Sequence, residues 1–279
     1  MFKSFFPYLL ILISSLPSSF SFIQNQIARN KFPSLRTVEL SMSDPTNYQE
    51  GGNLLVSKLS KISLDGPIRL ILASQSPRRR EILDMMGLSN RYNVTFSPMD
   101  EEALQEKLSK SKITPTEYSK TLARSKAYAL VEAIQKDGEE KTHSVTLVLG
   151  SDTIVDKDGI ILEKPKSKEN AAEMLTKLSG NWHEVHTGVA LYKINHECDG
   201  DDKIELVSNY TDTARVKFSV LTDDDITAYI ETGEPMDKAG SYGIQGLGGQ
   251  FVETITGDFF AVMGLPMHSL SKALAKVLN

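Results

Sequence analysis

Short apolar runs alternate with amphipathic helical stretches along residues 68–220, and this alternation restricts the fold more than any other feature. Residues 68–73 read as a buried strand, 77–86 as a helix, 94–97 as a short strand and 116–134 as a long helix. The long helix sets Tyr118, Leu122, Ala123, Ala127 and Leu130 on one face. Thr114-Pro115 starts it and Asp137-Gly138 stops it. A buried strand at 145–149, a helix at 170–178 closed by Gly180, and two long strands at 185–194 and 206–220 follow. Strands and helices in alternation indicate an α/β domain.

The first strand and helix carry an electrostatic conflict. Ser76 is a suitable N-cap, Pro77 suits the first helical position, and Gly87 can end the helix. Arg78, Arg79 and Arg80 then crowd the end of the helix dipole that favours anions. An anionic ligand such as a phosphate chain resolves the conflict. Solvated surface arginines are the plainer reading.

The bulk numbers set limits. A chain of 279 residues with 40% hydrophobic content and a net charge of −5 suits one large domain or two small ones. That mild acidity disfavours a nucleic-acid polymer as partner but not a small anion in a local basic pocket. Cys198 is the only cysteine, which excludes an intrachain disulfide and a cysteine-cluster metal site.

Residues 1–43 read as a targeting presequence. Lys3 precedes an apolar block at 5–16, too short to span a bilayer comfortably, and residues 1–38 hold no Asp or Glu. Arg29, Lys31, Arg36 and several serines follow. A signal followed by a transit-like segment resembles the bipartite presequences that direct proteins to complex plastids. The alternatives are a simple secretory signal, or a cytoplasmic protein if the segment is not a functional signal. No stable membrane span is expected after its removal. Residues 44–67 read as linker with one short helix near 54–62, and the folded domain is expected over 68–279.

A second constellation follows the strand at 145–149. Asp158-Gly159 reads as a two-residue hairpin turn, pairing Ile154 with Glu163 and Thr153 with Lys164. Asp152 then shares a face with Glu163, one diagonal step away, while Lys164 points to the other face unless the strand bends. Two carboxylates suit a hard cation such as Mg²⁺, and one can deprotonate a water. An Asp at a strand end is also ordinary turn chemistry.

A third lies in the glycine-rich stretch 235–249. Its spacing lacks the lysine-serine ending of a phosphate-binding loop. Gln245 offers a donor and an acceptor in one plane, which complements a uracil or thymine edge. Three further groups read as structural. Asp199, Asp201 and Asp202 suit a solvated loop, and Asp223, Asp224 and Asp225 after Thr222 suit a helix cap. His183 and His186, three apart in a strand, would face opposite sides, so they make no zinc motif by themselves.

In this order the pieces resemble the Maf family of nucleoside triphosphate pyrophosphatases. The matching text is 72–79 (Leu-Ala-Ser-Gln-Ser-Pro-Arg-Arg), 150–155, 163–165, 177–180, 237–246, 257–260 and 264–266. Each piece alone is weak; together and in order they are specific. The resemblance implies an elongated mixed α/β sheet of the inosine-triphosphatase kind, with flanking helices, a cleft between two lobes and a common homodimeric state. It implies hydrolysis of a nucleoside triphosphate to monophosphate and pyrophosphate, a house-cleaning role. By motif match Asp152 is the general base, and Arg78, Thr153 and Gln245 govern base choice. The form of the Gln245 motif looks like the dTTP/UTP branch rather than the 7-methyl-GTP branch, with modified uridine triphosphates as further candidates. Ser74, Arg79, Lys126 and Lys164 match other substrate positions. Asp152, Glu163 and Glu102, with Glu101 as the alternative to Glu102, match positions for a divalent metal, Mg²⁺ or Mn²⁺. Arg80 matches no assigned position. The family's association with septum formation leaves a second class open, a nucleotide-binding regulator of cell division without useful turnover.

Overall fold

The computed structural model describes residues 54–137, 142–198 and 200–279. The expected presequence at 1–43, the linker up to residue 53, Gly138 and Asp199 lie outside the described residues.

The alternation read from the sequence forms one seven-stranded mixed sheet. Its strands are β1 (Ile68–Leu72), β2 (Tyr92–Val94), β3 (Val145–Lys157), β4 (Ile160–Leu162), β5 (Trp182–Asn195), β6 (Ile204–Phe218) and β7 (Val252–Thr256). The order is β2-β1-β3-β5-β6-β7, with β4 pairing β3. β1 runs parallel to β2 and β3, and the other pairs are antiparallel. The helices are α1 (Pro77–Leu83), α2 (Glu101–Ser109), α3 (Pro115–Asp137), α4 (Lys168–Leu178), α5 (Asp223–Glu231), α6 (Phe259–Met263) and α7 (Met267–Val277). No helix among the described residues is long and apolar enough to cross a membrane.

The main core joins β1, β3, β5 and β6 to α1, α4, α5 and α7 through residues such as Leu72, Leu149, Leu175, Val189, Phe218 and Leu274. A second cluster lies under α3, where Ala123, Ala127 and Val131 meet Val148 and Ala190. Thr222 caps α5 reciprocally with Asp225, as expected of the acidic run.

Several expectations change. The short helix expected near 54–62 is present as a 3₁₀ helix at 55–61, but it is docked and not free linker: Leu55 is buried in the main core together with Ile62, and Leu55 N–H donates to Ser271 Oγ on α7 at 3.0 Å. Apolar residues at irregular spacing hid this docking. Ser76 does not cap α1 with its side chain; instead Ser74 Oγ accepts from Ser76 N–H at 3.2 Å. The strand after Asn90 begins at Tyr92 and ends at Val94, earlier than expected. Helix α2 has no fully buried residue and so gave no apolar period to read.

The main difference is at Gly150, which reads as a strand end but sits inside the continuous 13-residue β3. A glycine is required there because α3 presses on the sheet. A Cβ at Gly150 would stand 2.3 Å from the Ala123 carbonyl oxygen, and one at Gly188 would stand 2.3 Å from that of Ser119. Gly188 is the β5 partner of Asp152.

β3 gives one edge to β5 along nearly its whole length. Its other edge is shared, with β1 on residues 145–149 and β4 on 155–157. No described strand pairs with residues 150–154 on that edge, and this gap opens the sheet at the Asp152 segment.

Candidate active site

A cleft of about 400 Å³ lies at the gap. It is lined by the loop from Ser74 to Arg79, by Glu101, Lys126, Asp152, Thr153 and Lys164, and by the glycine-rich stretch through Gln245. The three separate constellations of the sequence therefore meet in one place. The size suits a small-molecule ligand.

Asp152 is 6% exposed and Lys126 8% exposed. The Lys126 ammonium reaches Asp152 Oδ1 at 2.6 Å and Glu101 Oε1 at 2.7 Å. Close packing of α3 on Gly150 and Gly188 brings Lys126 to this point. Burial raises the Glu101 pKa, but the charge and hydrogen bond of Lys126, together with Lys164 and Arg79, outweigh it and hold the carboxyl below its usual range.

Glu101, not Glu102, faces the cleft. Asp100 caps α2 by accepting from Ala103 N–H at 3.0 Å, and this start turns Glu101 inward and leaves Glu102 exposed. The extra residues before the helix obscured that register in the sequence.

The hairpin has the expected register, with Val155 opposite Leu162, but the ladder ends there. Glu163 and Lys164 leave the strand, so Lys164 joins the cleft lining with Asp152 and Thr153 instead of facing away. Glu163 accepts a short hydrogen bond from the Tyr118 hydroxyl. Burial, then the hydrogen bond and charge of Glu163, then the charges of Asp152 and Glu101 push the Tyr118 pKa upward. The sequence placed Tyr118 only on an apolar helix face.

The arginines divide three ways. Arg79 is buried and donates to neutral acceptors: Gly264 O at 2.9 Å, Ser74 Oγ at 2.9 Å and Thr153 Oγ1 at 3.2 Å. Burial lowers its pKa, with the Asp152 charge opposing that effect. Thr153 Oγ1 also pairs with Thr187 Oγ1 at 2.9 Å. Arg78 Nη1 pairs with Asp237 Oδ2 at 2.9 Å, and Lys238 reaches Asp237 Oδ1 at 2.6 Å. Arg80 is exposed.

Gln245 is exposed on the cleft wall. Its loop is held by Glu234, which sequence reasoning missed. Glu234 accepts from Leu247 N–H at 3.0 Å, Gly248 N–H at 3.2 Å and the Tyr229 hydroxyl at 2.9 Å. Tyr229 in turn accepts from Gly243 N–H at 3.1 Å. Nothing in a lone Glu before Pro235 signals a loop anchor.

Cations outnumber carboxylates in the lining: Arg78, Arg79, Lys126, Lys164 and Lys238 against Glu101, Asp152 and Asp237. Such a cleft attracts polyanions. His183 and His186 do lie on opposite faces. His183 Nε2 bonds the Tyr242 hydroxyl at 2.9 Å beside Phe218, and His186 Nδ1 bonds Thr213 Oγ1 at 2.8 Å.

Residues 69–277 match the family model for Maf-like protein. The chain belongs to the Maf family. Relatives extend across bacteria and animals. The dTTP/UTP pyrophosphatase of Clostridium perfringens strain 13 is 42% identical over 207 residues, 74% of this chain and 96% of the bacterial one. The dTTP/UTP pyrophosphatase of Vibrio cholerae is 40% identical over 208 residues, covering 75% and 97%. A human protein named "Probable bifunctional dTTP/UTP pyrophosphatase/methyltransferase protein" is 42% identical over 212 residues, 75% of this chain but only 32% of its own length. This Maf chain thus matches nearly all of the bacterial relatives and about a third of the human one.

Proposed function

We propose that this Maf protein hydrolyses dTTP and UTP between the α- and β-phosphates, releasing the monophosphate and pyrophosphate. Modified uridine triphosphates are further candidates, which gives the protein a house-cleaning role. The observation that carries the reading is the buried Asp152, fixed by Lys126 at the floor of a cation-lined cleft. The names of its relatives support the base preference.

In this mechanism Lys126 engages Asp152 Oδ1, leaving Oδ2 to take a proton from water. The water oxygen bonds to the α-phosphorus as the bond to the bridging oxygen breaks, and pyrophosphate leaves with that electron pair. A triphosphate carries roughly four negative charges, which Arg78, Lys126 and Lys164 offset in a cleft that limits water. Arg79 keeps Ser74 and Thr153 in place. Gln245 reads the base edge.

A hard divalent cation of the Mg²⁺ or Mn²⁺ kind would be held by the oxygen donors Asp152 and Glu101, which meet at the Lys126 ammonium, with Glu163 beside Tyr118 as a further donor. When bound it supplies charge neutralisation to the phosphate oxygens. A homodimer and a plastid or secretory destination for the full chain belong to the same proposal.

The deciding experiment is a nucleotide panel on the purified protein with separate detection of pyrophosphate and orthophosphate. Pyrophosphate release from dTTP and UTP is expected. Orthophosphate alone would sink the reaction, and a preference for 7-methyl-GTP would sink the base assignment. Tight nucleotide binding with no turnover would favour the regulator reading.

A further inference from the structure

A second group of metal-type donors lies away from the cleft, on adjacent strands β3 and β5. Asp156 and Glu184 are direct cross-strand partners, and His186 follows Glu184 on the same face. Among the described residues, Asp156, Glu184 and His186 bring one donor atom each to within 4.8 Å of one another. His186 Nε2 lies 3.5 Å from Glu184 Oε2 and 3.7 Å from Asp156 Oδ2.

Those distances are too long for good hydrogen bonds. His186 is 3% exposed, and its Nε2 is a buried polar atom with no hydrogen-bond partner. An unpaired buried nitrogen aimed at two carboxylates requires an explanation. His186 Nδ1 bonds Thr213 Oγ1, so Nε2 is the ring nitrogen that faces the two carboxylates.

A cation between the three donors removes the conflict. Zinc bonds of about 2.0–2.2 Å in a tetrahedral site set neighbouring donors about 3.3–3.6 Å apart, close to the separations seen. The supporting contacts are those expected around metal ligands. Thr213 fixes the imidazole, and Gly159 N–H donates to Asp156 Oδ1 at 2.7 Å, leaving Oδ2 directed at His186. Glu184 is half-exposed, which gives an ion a path in, and its other oxygen lies 4.0 Å from Arg215 Nε.

We propose that Asp156, Glu184 and His186 form a binding site for a first-row divalent transition ion such as Zn²⁺, distinct from the catalytic cleft, that clamps β3 to β5. Asp156 lies four residues beyond Asp152, about 13 Å along the strand. The site's donors come from two strands, so histidine spacing alone could not reveal it.

The test is Zn²⁺ titration of the chelator-stripped full chain by calorimetry, with thermal unfolding in parallel. Wild type should bind an equivalent of Zn²⁺ that raises thermal stability and that persists in Asp152→Asn, in addition to any ion taken up by the cleft. His186→Gln and Glu184→Gln should bind at least about 100-fold more weakly and lose that gain, since even supporting contacts to metal ligands count for up to that much. Glu184→Gln, at a half-exposed position, keeps the test valid if His186→Gln does not fold. Absence of Zn²⁺ binding in wild type would overturn the proposal. So would binding that is lost in Asp152→Asn but kept in Glu184→Gln, which would place the ion in the cleft.

Discussion

Lys126 Nζ stands 2.6 Å from Asp152 Oδ1, and both side chains are almost wholly buried. A pair in that setting is costly to break, because the remaining charge has no partner and little water. Lys126→Met is expected to lower stability by about 3 kcal/mol and to reduce turnover. Asp152→Asn should lower kcat by about 10²–10⁴-fold while nucleotide binding persists. Chemical denaturation and steady-state kinetics on the two variants check this, and wild-type kcat in Asp152→Asn would remove Asp152 as the base.

Stability should fall in mild acid. Burial depresses the His183 pKa from 6.5 to about 3, so the folded chain keeps this ring neutral while the unfolded chain protonates it. The contribution is fully present above about pH 6.5 and is lost progressively as pH falls from there toward 3. At pH 5 the loss amounts to about 2 kcal/mol. Thermal midpoints at pH 7.5 and 5.0 measure it, and His183→Gln should show a smaller difference between the two.

Base choice should move with Gln245. Gln245→Glu removes the side-chain donor and adds a negative charge at the cleft wall. The kcat/KM for UTP and dTTP should fall by about 10–100-fold, the worth of one or two lost hydrogen bonds. Unchanged values would show that Gln245 does not read the base.

The loop that presents Gln245 depends on Glu234. Glu234→Ala leaves the Leu247 and Gly248 amides and the Tyr229 hydroxyl without this acceptor. A higher KM with a smaller change in kcat is expected, together with faster proteolysis in the 243–249 stretch. Unaltered KM and protease resistance would show that the loop stands without this anchor.

Gly188 sets the distance between α3 and the sheet. Gly188→Ala forces its Cβ against the Ser119 carbonyl and should cost about 1–3 kcal/mol. Because α3 also carries Lys126, turnover should drop as well. Urea denaturation and dTTP hydrolysis measured together would show whether the two losses coincide.

Periodicity and turn chemistry made much of this protein legible in its sequence. The apolar face of α3, the Asp158-Gly159 hairpin and the Thr222 cap depend on neighbours a few residues apart, and such interactions are encoded locally. The ordered motifs carrying Asp152, Lys164 and Gln245 were readable for the same reason, each being continuous in the chain. What the tertiary structure decided is how those pieces face one another. The arginine cluster suggested three charges for a phosphate chain, yet Arg79 is bound to Gly264 O, 185 residues away, Arg78 to Asp237, 159 residues away, and Arg80 is exposed. Glu101 displaced Glu102 because the start of α2 fixes which carboxylate turns inward. Gly150 read as a strand end because no local pattern shows a helix lying across the sheet. Burial, charge pairing and close packing act between residues remote in sequence, so their outcome appears only when the chain has closed around the cleft.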